Sequence, residues 1–85
     1  MLKVEWTEKA IENLGKLDRL ISRRIINKVT WFAKNFEIIT PDPLTGGLKG
    51  MFKLRIGDWR VVYKVEGETA IIYFVGHRRE IYDSK

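Results

Sequence analysis

Cysteine is absent from these 85 residues, histidine occurs once at position 77, and proline occurs twice. Without thiols the chain has no disulfide, no thiolate nucleophile and no sulfur-ligated zinc, a composition that a reducing cytosol permits. A metal site would have to be built from carboxylates, and the acidic residues are scattered along the chain, so neither metal nor cofactor is expected. The longest apolar run, Ala70 to Val75, falls far short of the roughly 20 residues that a membrane helix needs. The opening Met-Leu-Lys-Val-Glu-Trp has no apolar signal region. The expectation is a cytoplasmic protein that does not meet the membrane.

A chain of this length buries too little surface to be divided between two cores, so residues 1–85 are expected to form a single domain. Sixteen Lys and Arg against eleven Asp and Glu give a formal charge of +5, the bias of proteins that meet phosphate. A merely solvated basic surface would show the same total. The placement of the charges therefore decides.

Leu2, Val4 and Trp6 alternate with Lys3 and Glu5, which predicts a short strand. Thr7 can cap a helix carrying Ala10, Ile11, Leu14 and Leu17. Asp18 can cap a second, whose stripe Ile21, Ile25, Val29, Phe32 and Phe36 is the strongest periodicity in the chain. Arg19, Arg23, Arg24 and Lys28 lie off that stripe. From Glu37 to Gly50, Pro41, Pro43 and Gly46-Gly47 predict a loop, which carries Lys49 but lacks the spacing of a phosphate-binding P-loop. Met51 to Ile56, Trp59 to Val65 and Thr69 to Val75 then read as an antiparallel three-stranded meander. The order predicts an α+β fold, with an N-terminal strand and a two-helix hairpin packed on one face of an antiparallel sheet.

A two-residue turn at Gly57-Asp58 sets Arg55 directly opposite Arg60, and Lys53 opposite Val62. Opposed like charges destabilise a sheet, and the local sequence supplies no carboxylate between them; an external anion would resolve the conflict. Simple alternation sends Phe52, Leu54, Val61, Tyr63, Val65, Ala70, Ile72 and Phe74 to the core. It sends Lys53, Arg55, Arg60, Lys64, Ile71, Tyr73, Val75 and His77 to the other, cationic face. His77 is followed by Arg78, Arg79 and Tyr82. Such a set suits RNA cleavage by the RNA's own 2′-hydroxyl, in which one group takes the hydroxyl proton, another protonates the leaving 5′-oxygen, and cations neutralise the phosphate. Either His77 or Tyr82 can be the base.

Lys53-Leu54-Arg55, Asp58-Trp59-Arg60-Val61-Val62-Tyr63 and Val75-Gly76-His77-Arg78-Arg79-Glu80-Ile81-Tyr82, with Leu48-Lys49-Gly50 before the first meander strand, resemble the RelE/ParE toxin superfamily over essentially the whole chain. The resemblance implies a microbial-ribonuclease-like fold that enters the ribosomal A site and cuts mRNA. It also implies a cognate acidic antitoxin that covers the basic face or displaces the C-terminal segment. Arg60 then matches the arginine on the transition-state phosphate, Arg78 the one at the leaving group, and Tyr82 the tyrosine assigned as base. Lys49, Lys53, Arg55, Lys64 and Arg79 are the candidate phosphate-binding cations, and Arg60 and Arg78 are both expected to face solvent. His77 replaces a lysine of RelE itself, and the step from Arg78 to Tyr82 is shorter. The alternatives on this fold are a ParE-like gyrase-inhibiting toxin and a non-catalytic, RNA-binding degenerate toxin.

Overall fold

Both predicted helix caps form. In the computed structural model, which describes residues 1–44 and 50–81, Thr7 Oγ1 accepts the Ala10 N–H at 3.2 Å and starts α1 (Glu8–Gly15). Asp18 accepts the Leu20 N–H at 3.0 Å and starts α2 (Arg19–Lys34). Each cap satisfies an N–H that has no partner inside its helix. Ile25, Val29 and Phe32 are buried as their spacing predicts, each contributing on the order of 1.5–3 kcal/mol. The stripe outlasts the helix: α2 ends at Lys34, and Phe36 begins a separate 3-10 turn, Phe36–Ile38.

β1 (Lys3–Trp6), β2 (Asp42–Pro43), β3 (Phe52–Ile56), β4 (Trp59–Glu66) and β5 (Thr69–His77) form one sheet in the order β1-β5-β4-β3-β2. β3, β4 and β5 are the expected meander, and β1 adds to β5 in parallel. β2 replaces part of the expected loop; its proline stands on an edge strand, where a missing N–H is tolerated. Gly57 and Gly67 both take φ of +60°, suiting the first loop position of tight hairpins. Those turns fix Arg55 opposite Arg60 and Glu66 opposite Thr69.

Strict alternation along β5 fails at one residue. Tyr63 faces Ile72 but Val62 faces Phe74, so Tyr73 is an extra residue, a β-bulge. The bulge sits where β1 ends and α1 takes over the β5 edge: Thr7 N donates to the Ile72 carbonyl, Thr7 Oγ1 to the Tyr73 carbonyl, and Val75 N to Asn13 Oδ1. Side chains beyond it change faces. Val75 joins the helix-side core with Ala10, Ile25, Val29, Phe32, Val61, Tyr63 and Ile72. Phe74 instead packs on the other face against Val62, Leu44 and Ile81. That face is therefore not simply cationic, because it carries a second, smaller apolar cluster.

Gly76 lies opposite Arg60, and a Cβ there would stand 2.7 Å from Phe74 Cε2 and 2.9 Å from Glu80 Oε1. Gly15 closes α1 with nothing within 4 Å of such a position. Gly76→Ala is accordingly expected to destabilise the fold by roughly 1–3 kcal/mol through overpacking, whereas Gly15→Ala should stabilise it by about 0.4–1 kcal/mol by restricting the unfolded chain. Urea denaturation of the two variants beside wild type checks both signs.

Candidate active-site rim

The free end of the β4–β5 ladder brings residues 58–60 against residues 76–79. Trp59 faces His77 and Arg60 faces Gly76. The Arg78 N–H donates to the Asp58 carbonyl at 2.7 Å, and Arg78 Nε lies 3.8 Å from Asp58 Oδ1. A rim thus forms between the β3–β4 turn and the segment that leaves β5.

His77 stands on the Trp59 side of the sheet, edge-on to the indole with ring centroids 5.3 Å apart. The bulge at Tyr73 put it there, correcting its expected place on the face of Arg55 and Arg60. Its turn is closed twice: Glu80 N donates to the His77 carbonyl and His77 N to Glu80 Oε1, each at 2.8 Å. His77 Nδ1 accepts the Arg79 N–H at 3.2 Å. An accepting Nδ1 puts the proton of the neutral ring on Nε2.

Arg60 does not face solvent as expected; it is 8% exposed. Its Nη1 donates to the carbonyls of Gly57 and Trp59, both at 2.9 Å, so the guanidinium braces the turn. Lys53, on the same sheet face, is also buried at 8%. They share this sheet face with the cluster of Leu44, Val62 and Ile81, whose approach the local sequence does not announce. Arg55 remains open and lies 3.7 Å from Asp42 Oδ2. That carboxylate is delivered by β2 from across the loop, where the local sequence around the opposed arginines supplies none. Lys64 pairs with Glu66 at 3.6 Å, down the strand from the rim. Arg78 and Arg79 are exposed. Tyr82 and Lys49 lie outside the described residues.

The structure thus gathers Arg60, His77 and Arg78 at one end of the sheet, with Arg79 next in the chain. It leaves Lys64 away from them and divides His77 from Arg60 by the plane of the sheet. Asp58, Trp59 and Glu80 shape the rim without having been candidates. Trp59 was legible as the turn partner of Ile56, but Glu80 had no pattern to mark it. Tyr63 is closed to proton transfer: burial, with the charge of Asp42 adding, pushes its hydroxyl up to about 12.

This is the architecture of a small cationic α+β domain built on one mostly antiparallel sheet. A family model described as the ParE toxin of type II toxin-antitoxin systems, parDE, matches residues 4–82. The chain belongs to that family, within the RelE/ParE superfamily. Among solved structures it is similar to the toxin-antitoxin complex RelBE2 from Mycobacterium tuberculosis, at 26% identity over 91% of this chain and 98% of that one, with a TM-score of 0.81. The intact RelBE complex of E. coli (18% identity, 91% and 96% covered, TM-score 0.72) and the chromosomal ParDE system of P. aeruginosa (15%, 91% and 96%, TM-score 0.70) share the fold. No curated protein gives a significant match. No described helix is long and apolar enough to cross a membrane.

Two variants separate the arginines. Arg60→Ala should cost roughly 1–3 kcal/mol or more of stability, since it strips a donor from two turn carbonyls and opens the interior. Arg78→Ala, losing only an exposed pair, should cost about 0–1 kcal/mol. Thermal melts compare them. Tyr63 gives a pH test. Its folded value of about 12 exceeds an unfolded value near 10, so between those pH values the unfolded chain releases a proton that the native chain keeps, and stability falls as pH rises. Tyr63→Phe should flatten that fall between pH 9 and 11 in urea titrations.

Proposed function

We propose that this toxin is a ribosome-dependent mRNA endoribonuclease acting in the cytoplasm. The observation that carries the reading is the rim itself, where the Trp59–His77 and Arg60–Gly76 pairings put a histidine and several arginines at one open sheet end. RNA cleavage there would proceed by attack of a 2′-hydroxyl on the adjacent phosphorus. The O–P bond to the 2′-oxygen forms, the bond to the 5′-oxygen breaks, and a cyclic phosphate and a 5′-hydroxyl remain. The base removes the 2′ proton and the acid supplies one to the 5′-oxygen.

His77 is assigned as the proton donor in its imidazolium form, in which Nδ1 gives up its contact with the Arg79 N–H and loss of the Nε2 proton to the 5′-oxygen leaves a neutral ring. Proton removal then falls to Tyr82, which enters here from the sequence. Arg78 and Arg79 are the accessible charges for the phosphate. Arg60, held by two carbonyls, supplies a fixed positive charge beneath the rim, which needs little reorganisation as the transition state forms. Lys49, Lys53, Arg55 and Lys64 retain the role of flanking cations, with Lys53 acting through its field rather than by direct contact.

One observation favours a second reading, inhibition of DNA gyrase: the family match is described by the ParE toxin. A cell-free translation reaction with mapping of mRNA ends, run beside a gyrase supercoiling assay, separates the two. Cleavage confined to ribosome-bound mRNA is expected, with gyrase unaffected. His77→Ala and Arg78→Ala should each slow single-turnover cleavage about 100- to 1000-fold while melting near wild type. Intact mRNA with blocked supercoiling replaces this reading by the gyrase one.

A further inference from the structure

Beyond the bulge, the outer edge of β5 has no paired strand among the described residues. The N–H groups that point out from it, those of Val75 and His77, lie two residues apart as strand geometry requires. Each is taken by a side chain: Val75 N donates to Asn13 Oδ1 at 3.0 Å and His77 N to Glu80 Oε1 at 2.8 Å. Asn13 comes from α1, whereas Glu80 reaches back from the segment that follows the strand. One bond therefore both finishes the sheet edge and fixes the start of that segment.

The bonds around His77 have the form of a helix capping box, in which the first side chain accepts an N–H two or three residues on and a Glu three residues on accepts the first N–H. His77 Nδ1 accepts the Arg79 N–H at 3.2 Å, Glu80 Oε1 accepts the His77 N–H, and the Glu80 N–H donates to the His77 carbonyl at 2.8 Å. Serine or threonine commonly holds the first position. An imidazole can hold it only while Nδ1 carries no proton. The imidazolium, the form in which His77 is assigned as donor, therefore loses that half of the box. The half made by Glu80 does not involve the ring. Arg78 keeps a second anchor, since its N–H donates to the Asp58 carbonyl at 2.7 Å. The Arg79 N–H is bonded to the imidazole and depends on the turn when the ring lets go.

We propose that Glu80 is a positioning residue of the rim: by accepting the His77 N–H it keeps the turn closed while the imidazole gains and loses its proton, so that Arg79 stays beside the phosphate. The catalytic consequence rests on the nuclease reading; the hydrogen bond can be read without RNA. Charged groups on the surrounding elements are Asp58 and Arg78 across the ladder, Arg79 in the same turn, Arg24 over the β3–β4 turn, and Lys9 and Lys16 of α1, which line a hollow of about 200 Å³ with Glu80. Those cations could act on the Glu80 charge alone, so the test separates charge from hydrogen bond.

The experiment compares the full-length toxin, labelled with 15N and freed of its antitoxin, with Glu80→Ala and Glu80→Gln. His77 is the only histidine, so its ring nitrogens need no assignment. In wild type the neutral ring should carry its proton on Nε2. Glu80→Ala should mix the two tautomers, because the Arg79 N–H is no longer held against Nδ1, and should speed exchange of the His77 amide about tenfold or more. Glu80→Gln keeps an oxygen acceptor without the charge and should restore both readouts. In single-turnover cleavage of ribosome-bound mRNA, Glu80→Ala should be slower by about 10- to 100-fold with unchanged ribosome affinity, the scale of a small misplacement. Glu80→Gln should stay within about threefold of wild type, below one tenfold step. A wild-type tautomer and wild-type amide exchange in Glu80→Ala overturn the proposal. So does Glu80→Gln behaving as Glu80→Ala, which would make charge the agent, and so does wild-type cleavage by Glu80→Ala. If wild type itself leaves mRNA intact, the nuclease reading fails, while the imidazole and amide readouts still decide whether Glu80 holds the turn.

Discussion

The β4–β5 ladder and its bulge at Tyr73 are the constraint on which the remaining structure depends. β5 has two different neighbours along one edge, first β1 and then α1, and the change occurs where Thr7 binds the carbonyls of Ile72 and Tyr73. Backbone groups buried beside a helix must still find partners, and the bulge is the local adjustment that accompanies this change of partner. One extra residue then shifts every later side chain to the opposite face. Val75 enters the main core, Phe74 founds the second cluster, and His77 comes edge-on to Trp59.

From this follows the electrostatic character of the molecule. With apolar clusters on both faces, the sheet cannot offer a flat cationic surface, so Lys53 and Arg60 are drawn inside while Arg55, Arg78 and Arg79 stay in water. Arg60 is tolerated there because its guanidinium reaches carbonyls of its own hairpin. A buried cation with fixed partners is preorganised, whereas an exposed one is adaptable but screened. The rim combines both kinds.

Accessible cations adjoin the β3–β4 turn from two sides, while others are spread over the surface. One group is the rim at the end of the β4–β5 ladder; the other is Arg23, Arg24 and Lys28 of α2 with Arg55 of β3. They meet at the β3–β4 turn, where Gly57 lies against Arg24 and Asp58 holds Arg78. A two-residue turn is short and stiff, so the two charged regions are joined by one fixed piece of backbone.

Local pattern alone determined the caps at Thr7 and Asp18, the buried stripe of α2, the meander with Arg55 opposite Arg60, and the α+β class, because each depends on residues near one another in the chain. The family was legible in the clustered motifs of the last three strands. Only the tertiary structure decided the position of His77, since a bulge formed where β5 meets a helix sixty residues away reverses the parity that alternation predicts. Only it decided that Arg60 is buried and that Leu44 and Ile81 join Val62 on the second face from other segments, and that Asp42 stands by Arg55, because the two-residue β2 carries no period to read. Periodicity reports which residues share a face; what covers that face is set by long-range packing.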